Sequence, residues 1–165
     1  MSKNLFSLPA LLLGAMLMFA PACGDSDPCK DVACGDNGAC FDGACICNEG
    51  FEQGVSGLCD TESRVKFYGN YNVTETCGGA ADSYSSGISA GSDMTKINIS
   101  NFGNSGLNVS ASVDGSNFTV ASQTITVNGN SVTVTGTGTI SGTTVTLNYA
   151  GSGGATFNCV ATMTR

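Results

Sequence analysis

Nine cysteines and the absence of histidine restrict the possible folds of this 165-residue chain more than any other feature. Six cysteines crowd into residues 29–59, two stand far downstream, and one follows an apolar N-terminal segment. Cysteine-dense short segments are typical of exported proteins, because the cytosol keeps thiols reduced. An odd count in an oxidising compartment leaves one cysteine for another role. The nine are Cys23, Cys29, Cys34, Cys40, Cys45, Cys47, Cys59, Cys77 and Cys159.

Residues 1–22 have the layout of a secretory signal peptide. Lys3 precedes an apolar run from Leu5 to Ala20, and small residues follow that run. A transmembrane helix needs roughly 20 apolar residues, and this run is shorter and interrupted by a proline. The segment therefore predicts export.

The junction after this segment allows two kinds of processing. Ala20 and Ala22 offer the small residues that ordinary signal peptidase recognises, and the same residues before Cys23 resemble a bacterial lipobox. The odd cysteine count favours the lipobox, because a lipid-bearing Cys23 leaves eight cysteines to pair. We predict a lipoprotein of the outer membrane or cell surface, held by palmitate-type chains, with residues 23–28 as a tether. A soluble secreted form is the alternative.

The six clustered cysteines define a small module over residues 29–60. Their spacing is C-x4-C-x5-C-x4-C-x-C-x11-C, and the segment has too few apolar side chains to fold without crosslinks. The stretch from Cys45 to Phe51 reads C-x-C-x-x-G-F, which resembles an EGF-like domain. Spacing alone leaves the connectivity open. The resemblance implies the pairs Cys29–Cys40, Cys34–Cys45 and Cys47–Cys59.

Three acidic residues of this region, Asp25, Asp27 and Asp42, fall near positions that supply oxygen ligands in calcium-binding EGF-like domains. The alternative is a solvated acidic face, and we expect no cofactor, with calcium as the one candidate. A zinc site is disfavoured because the chain is exported and has no histidine.

The negative charge of the chain is concentrated in the small module. The net charge is −7, whereas residues 63–165 hold four acids and four bases. This balance provides no basic surface for nucleic acid or for an anionic membrane. We predict no nucleic-acid partner, and attachment to a membrane only through a lipid anchor.

Residues 63–165 alternate between apolar and polar side chains with a period of two. In the segment 131–140, Val132, Val134 and Ile140 share one face and threonines occupy the other, as in half-buried strands. Asn128-Gly129 is a tight-turn signal. The sequence predicts a mainly β protein with an antiparallel meander of seven or eight strands, closed as a barrel or a sandwich. The predicted strands are 65–76, 83–90, 94–101, 107–113, 117–127, 131–140, 143–150 and 155–164.

The two distant cysteines lie in the first and last predicted strands. Counting by two places Cys77 on the face of Tyr71 and Cys159 on the face of Phe157, both inward. A Cys77–Cys159 bond would fasten the first strand to the last and hide the edges of the sheet.

The stretch Phe67-Tyr68-Gly69-Asn70-Tyr71 is similar to the G-x-W motif of lipocalin-like barrels, with tyrosine in place of tryptophan. The resemblance implies a carrier of a small apolar ligand. Its cavity would lie beside Gly136 and Gly138, with Tyr71 and Tyr149 on its wall. The alternative is that the two glycines pack against aromatic rings.

The chain contains no paired carboxylates at catalytic spacing, no serine-nucleophile motif and no phosphate loop, so we predict that it is not an enzyme. Two functions compete. In one, the Thr/Ser/Asn-rich outer face contacts an unknown protein or glycan and the EGF-like module is a spacer. In the other, the barrel carries a ligand. A continuous apolar void of roughly 300 Å³ or more inside the barrel favours the carrier, and a filled core rules it out.

Overall fold

The structure is a computed structural model that describes residues 27–153 and 155–165. The predicted signal peptide, the predicted lipid-attachment residue Cys23 and the acidic Asp25 lie outside the described residues. Within them, no helix is long and apolar enough to cross a membrane.

Residues 27–62 form a small unit with two short antiparallel ladders. The turn of the first ladder places Asp42 and Gly43 at φ angles of 50° and 79°, as a type I′ hairpin requires. The strands of the unit are β1 (Gly38–Phe41), β2 (Ala44–Cys47), β3 (Phe51–Glu52) and β4 (Thr61–Glu62).

Three disulfides hold this unit together. They join Cys29 to Cys40, Cys34 to Cys45 and Cys47 to Cys59, the connectivity that the EGF-like resemblance implies. Cys34 and Cys59 are its buried apolar residues, whereas Phe41, Ile46 and Val55 are exposed. Crosslinks therefore replace a hydrophobic core.

The rest of the chain forms a closed eight-stranded antiparallel barrel. Each strand pairs with its neighbours in sequence, and the last strand pairs with the first, which confirms the predicted meander and shows a barrel rather than a sandwich. The strands are β5 (Gly69–Cys77), β6 (Ala80–Ala90), β7 (Lys96–Ser100), β8 (Val109–Asp114), β9 (Asn117–Val127), β10 (Asn130–Ser141), β11 (Thr144–Gly153) and β12 (Ala155–Thr164).

The chain enters the barrel differently from the prediction. The predicted strand 65–76 begins only at Gly69, because Val65–Phe67 form a short 3₁₀ helix. Phe67 is fully buried, and its carbonyl accepts a 2.7 Å hydrogen bond from the Tyr71 hydroxyl. Burial of this one ring at the end of the barrel turns the chain before the strand starts.

The closure between β12 and β5 is covalent as well as hydrogen-bonded. Cys159 lies directly opposite Cys77 in the ladder, and the two form a disulfide with their Cα atoms 4.2 Å apart. Closure of the sheet leaves no unpaired edge strand in the barrel.

The two ends of the barrel differ in how they are filled. At the end that adjoins the disulfide-rich unit, here called the module end, Phe67 and Phe118 pack edge to face with ring centroids 5.5 Å apart. Gly138 is buried beneath Phe118, and a Cβ there would lie 2.0 Å from the ring. The opposite end, here called the open end, carries the turn at residues 78–79 and the loop 101–108, and the rings of Phe102, Tyr149 and Phe157 pack there beside a remaining space.

Candidate functional site

The open end of the barrel contains a cavity of about 270 Å³. Its walls are mainly apolar and come from five strands, β5 and β9 to β12, and from the loop 101–108. Strands β9 and β10 contribute branched aliphatic side chains to these walls, and β11 and β12 contribute the rings of Tyr149 and Phe157. The lining residues are Glu75, Cys77, Phe102, Gly103, Ser105, Ile125, Val127, Val132, Val134, Tyr149 and Phe157.

One carboxylate, that of Glu75, lines this apolar cavity. Glu75 is only 5% exposed, because its position in β5 shares the inward parity of Tyr71 and Val73. Its Oε2 accepts hydrogen bonds from the hydroxyls of Tyr84, at 2.6 Å, and Tyr149, at 2.8 Å. A buried carboxylate needs such donors, because leaving it without them costs a large desolvation penalty.

Both tyrosines are held as proton donors by their surroundings. Burial raises the pKa of Tyr84 well above its usual value, and the hydrogen bond to Glu75 and its charge raise it further. The same causes, in the same order, raise the pKa of Tyr149. Both hydroxyls therefore keep their protons at neutral pH.

The disulfide between β5 and β12 borders the same carboxylate. Cys77 Sγ lies 3.2 Å from Glu75 Oε1 and 3.9 Å from the Tyr149 hydroxyl. Glu75, Cys77 and Cys159 thus bring three potential metal-ligand atoms together. Both sulfurs are in the disulfide, so neither is the thiolate that binds a metal.

The loop 101–108 covers part of the cavity and is fixed by its own hydrogen bonds. Asn101 adopts a left-handed conformation, donates to the Ser85 carbonyl at 2.7 Å and accepts from the Gly106 amide at 2.8 Å. Phe102 is buried against Tyr149, with ring centroids 4.5 Å apart. Asn104 donates to Asp82 at 2.9 Å.

The sequence-predicted cavity residues lie in different places. Tyr149 is on the cavity wall, whereas Tyr71 is buried at the module end, where its hydroxyl donates a hydrogen bond to the Phe67 carbonyl. Gly138 accommodates the ring of Phe118, and a Cβ at Gly136 would lie 2.8 Å from the Tyr149 Cβ. The cavity therefore lies beyond these glycines, towards the open end.

Sequence reasoning missed Glu75, a single acidic residue near the end of the predicted strand 65–76. The parity of Glu75 with Tyr71 and Val73 was the available signal, since counting by two assigns all three to the inner face. Its neighbour in the ladder, Asp82, lies directly opposite on the same face but is exposed at the rim.

The described members of the predicted calcium set lie in the small unit. Asp27 accepts a 2.9 Å hydrogen bond from the Cys29 amide, and Asp42 occupies the hairpin turn. Across residues 27–153 and 155–165, neither belongs to a group of three metal-ligating side chains. Since Asp25 lies outside these residues, calcium binding stays a prediction.

A second concavity, of about 590 Å³, lies on the outer face of the barrel. It lies at a β-bulge, where two residues of β9, Ala121 and Ser122, stand opposite one residue of β10, Thr135. Just past the bulge, the Gln123 carboxamide accepts from the Ser110 amide and donates to the Ser110 carbonyl, at 3.1 and 2.8 Å. This side chain replaces strand pairing where β8 and β9 separate. We call the concavity the outer groove; it is lined by Thr119, Val120, Ala121, Ser122, Thr135, Gly136, Thr137, Asn148, Tyr149, Ala150, Asn158, Cys159 and Val160.

Comparison with known proteins gives little similarity. No family model matches the chain, and no curated protein matches it. A solved structure from Bacteroides fragilis NCTC 9343, named a "putative outer membrane protein", shares 16% identity and a TM-score of 0.46. The similarity covers 66% of this chain and 55% of that one, so the chain spans about half the length of the other protein. Similarity at this level assigns neither a family nor a function.

Proposed function

We propose that this protein is an exported, lipid-anchored, non-catalytic binding protein that holds a small, mainly apolar ligand in the open end of its barrel. The observation that supports this most directly is the cavity of about 270 Å³, with apolar walls and one hydrogen-bonded carboxylate. Apolar cavities with a few fixed polar groups are the usual form of small-molecule sites. A lipocalin-like carrier has this arrangement, but the volume of about 270 Å³ is slightly below the roughly 300 Å³ expected of a carrier, so it suits only a small ligand.

The proposed anchor is Cys23, at the amino terminus of the mature chain. The eight other cysteines all lie in the disulfides of the structure, so a lipid on Cys23 accounts for the odd count. The proposed location is the outer membrane or cell surface. A secreted form without lipid is the alternative.

The position of the small unit supports an orientation for the anchored protein. Residues 27–62 adjoin the module end of the barrel, where Glu52 of the small unit pairs with Lys66. The cavity is at the other end. The small unit would therefore act as a spacer between the membrane and the barrel, and the open end of the barrel would face away from the membrane.

Binding of a neutral apolar dye, phenylnaphthylamine, tests the cavity. Val127 lies on the cavity rim. The residue that precedes it in β9, Thr126, is exposed on the outer face of the barrel. Val127→Trp should fill the mouth and weaken dye binding by about tenfold or more, a loss of about 1.4 kcal/mol. Thr126→Trp is the matched control and should leave binding unchanged. Circular dichroism checks that both variants fold.

Two outcomes would count against a ligand in the cavity. One is a wild-type protein that does not enhance dye fluorescence, and the other is equal dye affinity in both variants.

Metabolic labelling with an alkyne-tagged fatty acid tests the anchor separately. The wild-type protein should take up the label, and Cys23→Ala should not. An unlabelled wild-type protein, or undiminished label in Cys23→Ala, would refute lipidation.

The outer groove supports a second candidate function, contact with a protein or glycan. Its walls include Thr135, Thr137 and Asn148, all exposed, and Val160 is 49% exposed beside them. Uncharged polar side chains around a small apolar patch suit such a surface. Thr137→Lys should abolish this contact without changing dye binding in the cavity.

A further inference from the structure

The two carboxylate oxygens of Glu75 have unequal surroundings. Oε2 accepts both tyrosine hydrogen bonds. Oε1 lies 3.2 Å from Cys77 Sγ, and a disulfide sulfur has no proton to donate. Among the residues that the structure describes, Oε1 therefore has no hydrogen-bond donor. A buried acceptor in this state is costly unless a ligand or water supplies one.

Within the described part of the chain, no positive charge at the cavity end balances Glu75. All four bases of residues 63–165 lie at the module end: Arg64, Lys66, Lys96 and Arg165. Arg64 and Lys66 pair with Glu62 and Glu52 there, Lys96 donates to the Ser112 hydroxyl, and Arg165 donates to the Lys66 carbonyl.

The negative groups of the open end, in contrast, stand together. Asp82 in β6 lies directly opposite Glu75 in β5, and like charges at directly opposite positions destabilise a ladder. The other titratable groups that face Glu75 are Tyr84 and Tyr149, which are neutral donors. The cavity thus presents net negative charge inside apolar walls.

We infer that the ligand of this cavity is a small primary amine with an apolar body. Its ammonium group would donate to Glu75 Oε1, and its body would contact Val132, Ile125 and Phe102. This inference rests on the proposed function and specifies the chemistry of its ligand.

The donors already present exclude the opposite charge. Tyr84 and Tyr149 both direct their protons to Glu75, so neither is available to an anionic ligand. An anion would also be repelled by the Glu75 carboxylate in the cavity and by that of Asp82 at the rim. A neutral ligand would leave the charge of Glu75 unbalanced. An ammonium group both balances this charge and donates a hydrogen bond to Oε1.

Three compounds with one phenyl body and different heads test the inference by calorimetry on the mature protein: phenethylamine, phenethyl alcohol and phenylpropanoate. The wild-type protein should bind the amine at least about tenfold more tightly than the alcohol, as expected for a close, partly desolvated charge pair. The carboxylate should bind most weakly. Equal affinity for amine and alcohol, or preference for the anion, would overturn the inference.

Two variants assign the preference to Glu75. Glu75→Gln should reduce the ratio of amine to alcohol affinity to about one, and circular dichroism checks that this variant folds. Asp114→Asn removes the same charge at the module end and should keep the wild-type ratio. An amine-to-alcohol ratio in Glu75→Gln equal to that of the wild-type protein would contradict the inference. If that variant does not fold, the affinities of the wild-type protein for the three compounds decide.

The dye separates the failure of this inference from that of the proposed function. If the dye binds the wild-type cavity and the amine shows no preference, only the ligand class is wrong. If neither the dye nor any phenyl compound binds, the proposed function fails as well.

Discussion

The hydroxyl of Tyr149 in β11 donates a 2.8 Å hydrogen bond to Glu75 in β5, with strand β12 between them. Tyr84 in β6 reaches the same oxygen from the other side. One buried carboxylate therefore links three strands on both sides of the disulfide closure. The polar centre of the cavity is also a structural crosslink.

Removal of one of the two tyrosine hydroxyls that donate to Glu75 should destabilise the fold. Tyr149→Phe keeps the ring that packs on Phe102 but takes a donor from a buried carboxylate. We expect it to lower the free energy of unfolding by about 1–3 kcal/mol, measured by urea denaturation.

Tyr68→Phe is the matched control for this change. The Tyr68 hydroxyl is buried and has no hydrogen-bond partner within residues 27–153 and 155–165. Its removal should leave stability unchanged or raise it by up to about 1 kcal/mol. Equal losses in the two variants would show that Glu75 does not depend on Tyr149.

Alkaline pH should destabilise the fold through its tyrosines. The chain has four tyrosines, and burial is the main cause that raises the pKa of each above the usual tyrosine value of about 10. The folded state therefore keeps tyrosine protons at a pH where the unfolded state releases them. The stability that these protonated tyrosines contribute is fully present below pH 10 and is lost as the pH rises further. Just above pH 10, tyrosinate absorbance should be weak in the folded protein and strong in urea. Equal ionisation in both states would refute this.

The close approach of Gly138 and Phe118 predicts coupled effects. Gly138→Ala should destabilise the barrel by about 1–3 kcal/mol, because the new methyl group overlaps the ring. In combination with Phe118→Leu, the loss should be smaller than the sum of the two single losses, by about 0.5 kcal/mol or more. Thr137→Ala, on the outer face next to Gly138, should change stability by no more than about 0.5 kcal/mol. Strict additivity would mean that the ring does not occupy this space.

The barrel disulfide should contribute more to stability than any one hydrogen bond. Cys77 and Cys159 are 82 positions apart, and closing a loop of that length stabilises by about 4–5 kcal/mol in the chain-entropy account. Cys77→Ala/Cys159→Ala should lose much of this in urea denaturation under non-reducing conditions. A loss below about 1 kcal/mol, or peptide mapping that finds the two residues unlinked, would contradict this closure.

The barrel was predictable because its strands obey local rules. Alternation by two and turn pairs such as Asn128-Gly129 gave eight strands close to those observed, and inward parity paired Cys77 with Cys159. The strand prediction was wrong at residues 65–68, where the burial of Phe67 is a tertiary contact that no local pattern reveals.

The position of the cavity could not be predicted in the same way. Whether an inward glycine leaves space depends on which ring reaches it from another strand, and Phe118 fills the space beside Gly138. Glu75 was missed because a single acidic residue near a strand end resembles a surface residue. Its burial depends on the two tyrosines that approach it from β6 and β11.

Nuclear magnetic resonance with ¹⁵N-labelled protein and phenylnaphthylamine tests most directly whether the ligand site is inside the barrel. Shift changes should concentrate at residues that line only the cavity, such as Ser105 and Val132, and be absent from Thr137 and Asn158 of the outer groove. Shift changes confined to the outer groove, with the cavity residues unmoved, would contradict the account.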